Sequence, residues 1–142
     1  MTAAELGTAG GLFTVLAFVH FLVDWVFQTH DEALNKHHLW KWRVRHCLIY
    51  TLGFLPVLWL LGMSRSRVLA SALVLFVSHF VEDTYIPVFL WAKYIRRMPQ
   101  MNVTEDFKTT FQTPLGAILF LTVDQIIHLC FLWVIVALVM LP

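Results

Sequence analysis

Three pairs of residues in this chain set an imidazole and a carboxylate four positions apart: His20 with Asp24, His79 with Asp83, and Asp124 with His128. On an α-helix a four-residue step leaves two side chains within about 40° of each other, so each pair shares a face. All three lie in otherwise apolar runs, where an ionisable side chain at mid-membrane costs roughly 2.5–3.5 kcal/mol. Helical bundles hold metal ions with such nitrogen and oxygen donors projected from facing helices. The six residues are therefore candidate ligands for one divalent ion or a pair, zinc or manganese by donor type, with no thiolate in the set. The competing reading is of His–Asp hydrogen-bonded pairs that fix helix packing and bind nothing.

Other polar residues fall around these pairs. His46 opens a second apolar run and is expected at the cytoplasmic rim of the site, where it or a carboxylate could move a proton. Glu82 lies about 100° around its helix from Asp83, so the two cannot face one centre; it is placed with His46 in the catalytic set as a general base, the alternative being a partner to a basic loop residue. Gln28 and Gln125 could orient the ligands from behind or hydrogen-bond across helices. His30, His37 and His38 fall in a basic loop and are given no ligand role, and Asn35-Lys36 carries no independent chemical signature. Cys47 and Cys130 form no CxxC and read as small packing residues.

The elements that must position these residues are membrane helices. Of 142 residues, 59% are hydrophobic, and the mean hydropathy is +0.73; both exceed what a soluble domain carries. Every Lys and Arg falls outside the apolar runs, whereas Asp24, Glu82, Asp83 and Asp124 fall inside them. That distribution does not suit nucleic-acid binding. The runs predict an all-α, single-domain, integral membrane four-helix bundle with spans over about 11–29, 46–62, 68–92 and 114–141, and interfacial loops over 30–45 and 93–113. The N-terminus lacks the basic flank of a cleaved signal peptide. The two long loops hold eight of the ten basic residues, which places them in the cytoplasm and both termini on the non-cytoplasmic side.

Finer expectations follow from punctuating residues. Pro56 should kink the second span, and Pro87 removes the hydrogen bond to the Asp83 carbonyl, leaving that oxygen solvated or used as a ligand. Trp40 and Trp42 among basic residues suit the headgroup level. Thr113-Pro114 reads as an N-cap and first turn, and the loop before it is long enough to act as a lid; Asn102-Val103-Thr104 matches a glycosylation sequon, but the match is common by chance and the topology puts it in the cytoplasm. His20-Phe21 to Asp24 and His79-Phe80 to Asp83 form a short repeat that two hairpins related by a pseudo-twofold would produce.

Taken together, His20-x-x-x-Asp24-Trp25-x-x-Gln28-Thr29, Asn35-Lys36, His46-x-x-x-Tyr50, His79-Phe80-x-x-Asp83 and Asp124-Gln125-x-x-His128 resemble a family of small bacterial membrane proteins known as domain of unknown function 3307. The family usually has Gly-Asp-Phe where this chain has Val23-Asp24-Trp25. Membership implies a multi-pass protein of the bacterial inner membrane but no substrate. The scattered His and Asp are distantly similar to those of membrane-bound metal-dependent hydrolases, an analogy only.

The leading functional expectation is a metal-dependent hydrolase of a lipid ester or phosphoester, in which the ion acidifies a water and polarises the scissile group. A second is a non-enzymatic subunit of a larger membrane complex or a proton- or ion-translocating protein, since internal His–Asp chains also suit relays. A haem-binding subunit is disfavoured by the flanking Asp residues. The expected partners are the lipid bilayer and either a second copy of the chain or another membrane protein.

Overall fold

The computed structural model describes residues 2–84, 86–97 and 114–140, which are mostly helical with no strand among them. The elements are α1 (Ala3–Phe21) running into a π-helical turn (Leu22–Val26), α2 (His30–Asn35), α3 (Trp40–Leu60), α4 (Arg65–Glu82), α5 (Ile86–Tyr94) and α6 (Pro114–Met140). Of the loop expected over 93–113, Lys93 and Tyr94 instead complete α5, while residues 98–113, with the sequon and Thr113 as an N-cap, lie outside the described residues.

α1 begins at Ala3 rather than near Gly11 because Thr2 and Glu5 close a capping box, the Glu5 amide donating to Thr2 Oγ1 at 3.2 Å and the Thr2 amide to Glu5 Oε2 at 2.7 Å. At its other end the Phe27 amide reaches the Leu22 carbonyl at 3.2 Å, five residues back. This widened turn carries Asp24. A second capping box, Thr29 with Glu32, starts the six-residue α2. The segment expected at headgroup level thus turns back toward the bundle, and α3 starts at Trp40, six residues before the anticipated span.

The expected third span is two helices. α4 ends at Glu82 and α5 starts at Ile86 with a 58° bend between them. Pro87 cannot donate to the Asp83 carbonyl; the His37 ring does so instead, Nδ1 to O at 2.9 Å. α3, by contrast, continues through Pro56.

Ala3–Val26 and α6 are each long and apolar enough to cross a membrane, and the bent α4–α5 pair would make a third span. α3 opens on Trp40-Lys41-Trp42-Arg43-Val44-Arg45, which shortens its apolar part. α3 packs on α4, α4 on α6, and α1 on both α3 and α6. The main core joins Leu16, Val23, Phe54, Leu75, Leu132 and Ile135, and a smaller one joins Val88, Phe89 and Ala92 to Phe120 and Val123. Phe13 stacks on Trp133 with ring centroids 4.6 Å apart.

At Gly53 the backbone of α3 lies against the side chain of Val23 in the π turn. A Cβ there would collide with Cγ1 of Val23, a buried β-branched side chain with little rotamer freedom. In an exposed helix Gly→Ala stabilises by roughly 0.5–1 kcal/mol. Here Gly53→Ala should instead destabilise by about 1–3 kcal/mol through overpacking, read as a lower melting temperature in detergent. Val23→Ala in the same chain should recover the loss; a Gly53→Ala protein as stable as wild type would show that the helices are not this close.

Candidate metal centre

The π turn, α3 and the C-terminal turn of α4 bring four side chains to one buried point. Asp24 Oδ1 lies 2.9 Å from His46 Nε2 and 3.5 Å from His79 Nε2. The two imidazole nitrogens are 2.9 Å apart, and Asp83 Oδ2 is 3.6 Å from the first and 3.5 Å from the second. All four residues are at most 3% exposed. Ligand atoms about 2.0–2.1 Å from a tetrahedral zinc ion stand at comparable separations from one another.

Hydrogen bonding alone cannot satisfy this arrangement. One ring nitrogen either carries a proton or offers one lone pair, yet His46 Nε2 faces Asp24 Oδ1, His79 Nε2 and Lys36 Nζ together. Asp83 Oδ2 has no hydrogen-bond partner, and neither has Nδ1 of His46 or His79. With both Nδ1 atoms unpartnered, whatever sits on the Nε2 side selects the tautomer of each ring.

Lys36 is the residue that sequence reasoning missed. Its ammonium enters the centre from the turn after α2, with Nζ 3.0 Å from Asp83 Oδ1, 3.5 Å from Asp24 Oδ1 and 3.1 Å from His46 Nε2. Burial by itself would lower its pKa; Asp83 and Asp24 reverse this and raise it above the ordinary lysine value. Its backbone is held by Arg43, which donates from Nε to the Lys36 carbonyl at 2.9 Å and from Nη2 to the His37 carbonyl at 2.7 Å. Burial pulls the His37 imidazole down to about 3, so it docks on Asp83 as a neutral ring. The only sequence signal for Lys36 was its place in a shared motif, because its charge pattern is that of an interfacial loop.

His20 sits beside this group but uses both nitrogens elsewhere. The Gln125 Oε1 carbonyl, 2.9 Å away, requires the proton on His20 Nε2, so Nδ1 accepts from the Tyr50 hydroxyl at 2.9 Å. Gln125 Nε2 then reaches Asp24 Oδ2 at 3.4 Å and Asp124 Oδ2 at 3.2 Å. His20, expected as a ligand, therefore orients Gln125 and through it Asp24. Tyr50 also stacks on His79, centroids 3.7 Å apart and 6° from parallel.

A second group forms where α4 meets α6. His79, Glu82 and His128 present ligand atoms close enough to hold an ion, as do Asp24, His46 and His79. His128 Nδ1 donates to the Asp124 carbonyl at 2.8 Å, which turns the lone pair of Nε2 toward Glu82 Oε2 at 3.2 Å. That is the usual orientation of a metal-binding histidine. Beside it a cavity of about 600 Å³ runs between α4, α5 and α6, lined by Leu73, Val77, Val81, Pro87 and Phe131, with Glu82 among its walls.

The geometry thus brings Asp24, His79 and Asp83 together with His46, which is 0% exposed and central rather than at a rim. Glu82 is shared with His128 in the second group. Asp124 is half-buried at the margin, bonded to Gln125, and Gln28 Oε1 is buried without a hydrogen-bond partner.

A chain whose described elements are all helices, with a buried His/Asp/Glu centre and two helices long and apolar enough to span a membrane, is the class that fold and site define. Within that class the chain belongs to the family described as protein of unknown function (DUF3307), whose model matches residues 12–142. No curated protein and no solved structure matches it.

Tyr50→Phe should cost about 1–3 kcal/mol of stability, because the lone pair of His20 Nδ1 is left buried and unmatched while the stack on His79 stays. Thermal melts in detergent check this; an unchanged midpoint would mean that His20 is oriented by Gln125 alone.

Proposed function

We propose that this chain is an integral membrane protein whose buried centre binds a divalent metal ion, zinc or manganese, and hydrolyses an ester or phosphoester of a lipid. The observation that carries the metal reading is the convergence of Asp24 Oδ1, His46 Nε2, His79 Nε2 and Asp83 Oδ2 at 2.9–3.6 Å with more contacts than their protons can serve.

For membrane insertion, the support is the apolar outer surface, on which Phe18, Leu60, Leu69 and Leu115 are 68%, 85%, 70% and 78% exposed, together with the long apolar helices. In this reading α1 with its π turn, α3, bent α4–α5 and α6 make four passes, the basic loops are cytoplasmic and both termini lie outside. The basic first turns of α3 rest at the headgroups.

For lipid hydrolysis, the support is the apolar cavity, within the size range of ligand pockets, that runs to Glu82. A divalent ion supplies Lewis acidity for a carbonyl or phosphoryl oxygen. Glu82, with Oε1 buried and unpartnered, holds or takes a proton where the cavity meets the second group. His128, fixed through Nδ1, supports Glu82 from α6. A proton-translocating role is favoured by a different observation, the continuous chain from Tyr50 through His20, Gln125, Asp24 and His46 to His79. Turnover of lipid esters by purified protein separates the two.

Elemental analysis of detergent-purified protein should find zinc or manganese in the wild type, strong loss in Asp24→Asn and Asp83→Asn, and retention in Asp124→Asn, whose carboxylate stands outside the ligand group. Metal retained by both of the first two variants, or absent from the wild type, would sink the metal reading. Topology is tested separately by reporter fusions at Arg65 and Arg97, which should land on opposite sides of the membrane; the same side for both would overturn the four-pass arrangement.

A further inference from the structure

We infer that Lys36 is a tethered cation occupying the position of the metal ion, so that insertion of its ammonium and binding of a divalent ion exclude each other. The inference rests on the metal reading of the centre and adds the means by which that centre is kept closed when no ion is held.

Occupancy is the first argument. Nζ lies within 3.0–3.5 Å of Asp83 Oδ1, Asp24 Oδ1 and His46 Nε2, and the last two are donor atoms of the proposed ion. An ammonium offers three donors and no lone pair, so it can stand in for a cation but cannot join it as a ligand while charged. The like charges would also repel in a site closed to water.

Charge balance is the second. With neutral imidazoles, Asp24 and Asp83 against one ammonium leave a negative charge uncompensated, and Asp83 Oδ2 stays without a partner. A divalent ion in place of the ammonium neutralises both carboxylates and engages that oxygen. Exchange is therefore in the direction the buried charges favour.

The third argument is the tether. Arg43 holds the carbonyls of Lys36 and His37, and His37 holds Asp83, so the backbone stays fixed while the side chain leaves. Four methylenes let the ammonium swing out along the bundle to the interface, where lysine heads commonly settle.

Two measurements on the full chain in detergent test this. Calorimetric titration with Zn²⁺ or Mn²⁺ should show Lys36→Met binding about tenfold tighter or more, since removing a closed state that competes with the ion restores the intrinsic affinity. In the wild type, acetylation of Lys36 by an amine reagent, read by mass spectrometry against exposed Lys41 and Lys93, should rise when metal is added. Equal or weaker binding by Lys36→Met beside a wild type that binds, or Lys36 labelling unchanged by bound metal, overturns the exchange and leaves the metal reading standing. No binding by either protein removes both. Should Lys36→Met fail to fold, labelling of the wild type decides alone.

Discussion

Two buried carboxylates, Asp24 and Asp83, are the constraint around which the structure is arranged. Both are at most 3% exposed, and an unpaired charge in such a place is among the costliest features a fold can carry. Three helices and a connecting turn contribute to meeting that cost, with imidazoles from α3 and α4, the Gln125 amide from α6 and an ammonium from the turn after α2. The unusual local features serve the same end. The π turn carries Asp24, Gly53 lets α3 approach that turn at Val23, and the break after α4 frees the Asp83 carbonyl for His37.

Much of the centre could be read from spacing. Four-residue steps between His and Asp put each pair on one face, and the expense of acids in apolar runs pointed those faces inward. Pro87 identified the Asp83 carbonyl as an oxygen needing a partner. Lys36 was illegible, because a lysine among Asn35, His37 and His38 looks like any headgroup residue, and only the return of the chain after the Thr29–Glu32 capping box carries it inward. The same blindness applies to Tyr50, an aromatic in an apolar run whose hydroxyl and ring face serve two different histidines.

Element type was more legible than element boundaries. Apolar length marked the helices. It missed α1's early start, because Thr2 and Glu5 act through local hydrogen bonds that hydropathy does not register. It merged α4 with α5, because a bend between apolar segments leaves mean hydropathy unchanged. Roles within the site were harder still. His20 and His46 look alike in sequence, yet partners on other helices make one an orienting group and leave the other open toward Asp24 and His79.

The break between α4 and α5 also has an electrostatic meaning. A helix ending inside a bundle leaves its last carbonyls without intrahelical partners, and their aligned dipoles amount to roughly half a negative charge. α4 ends at Glu82, beside Asp83 and His79. The backbone therefore adds its own negative field to that of the carboxylates, and it does so independently of any side chain's protonation. When a carboxylate is replaced by an amide this field remains, but it supplies no ligand atom in the carboxylate's place.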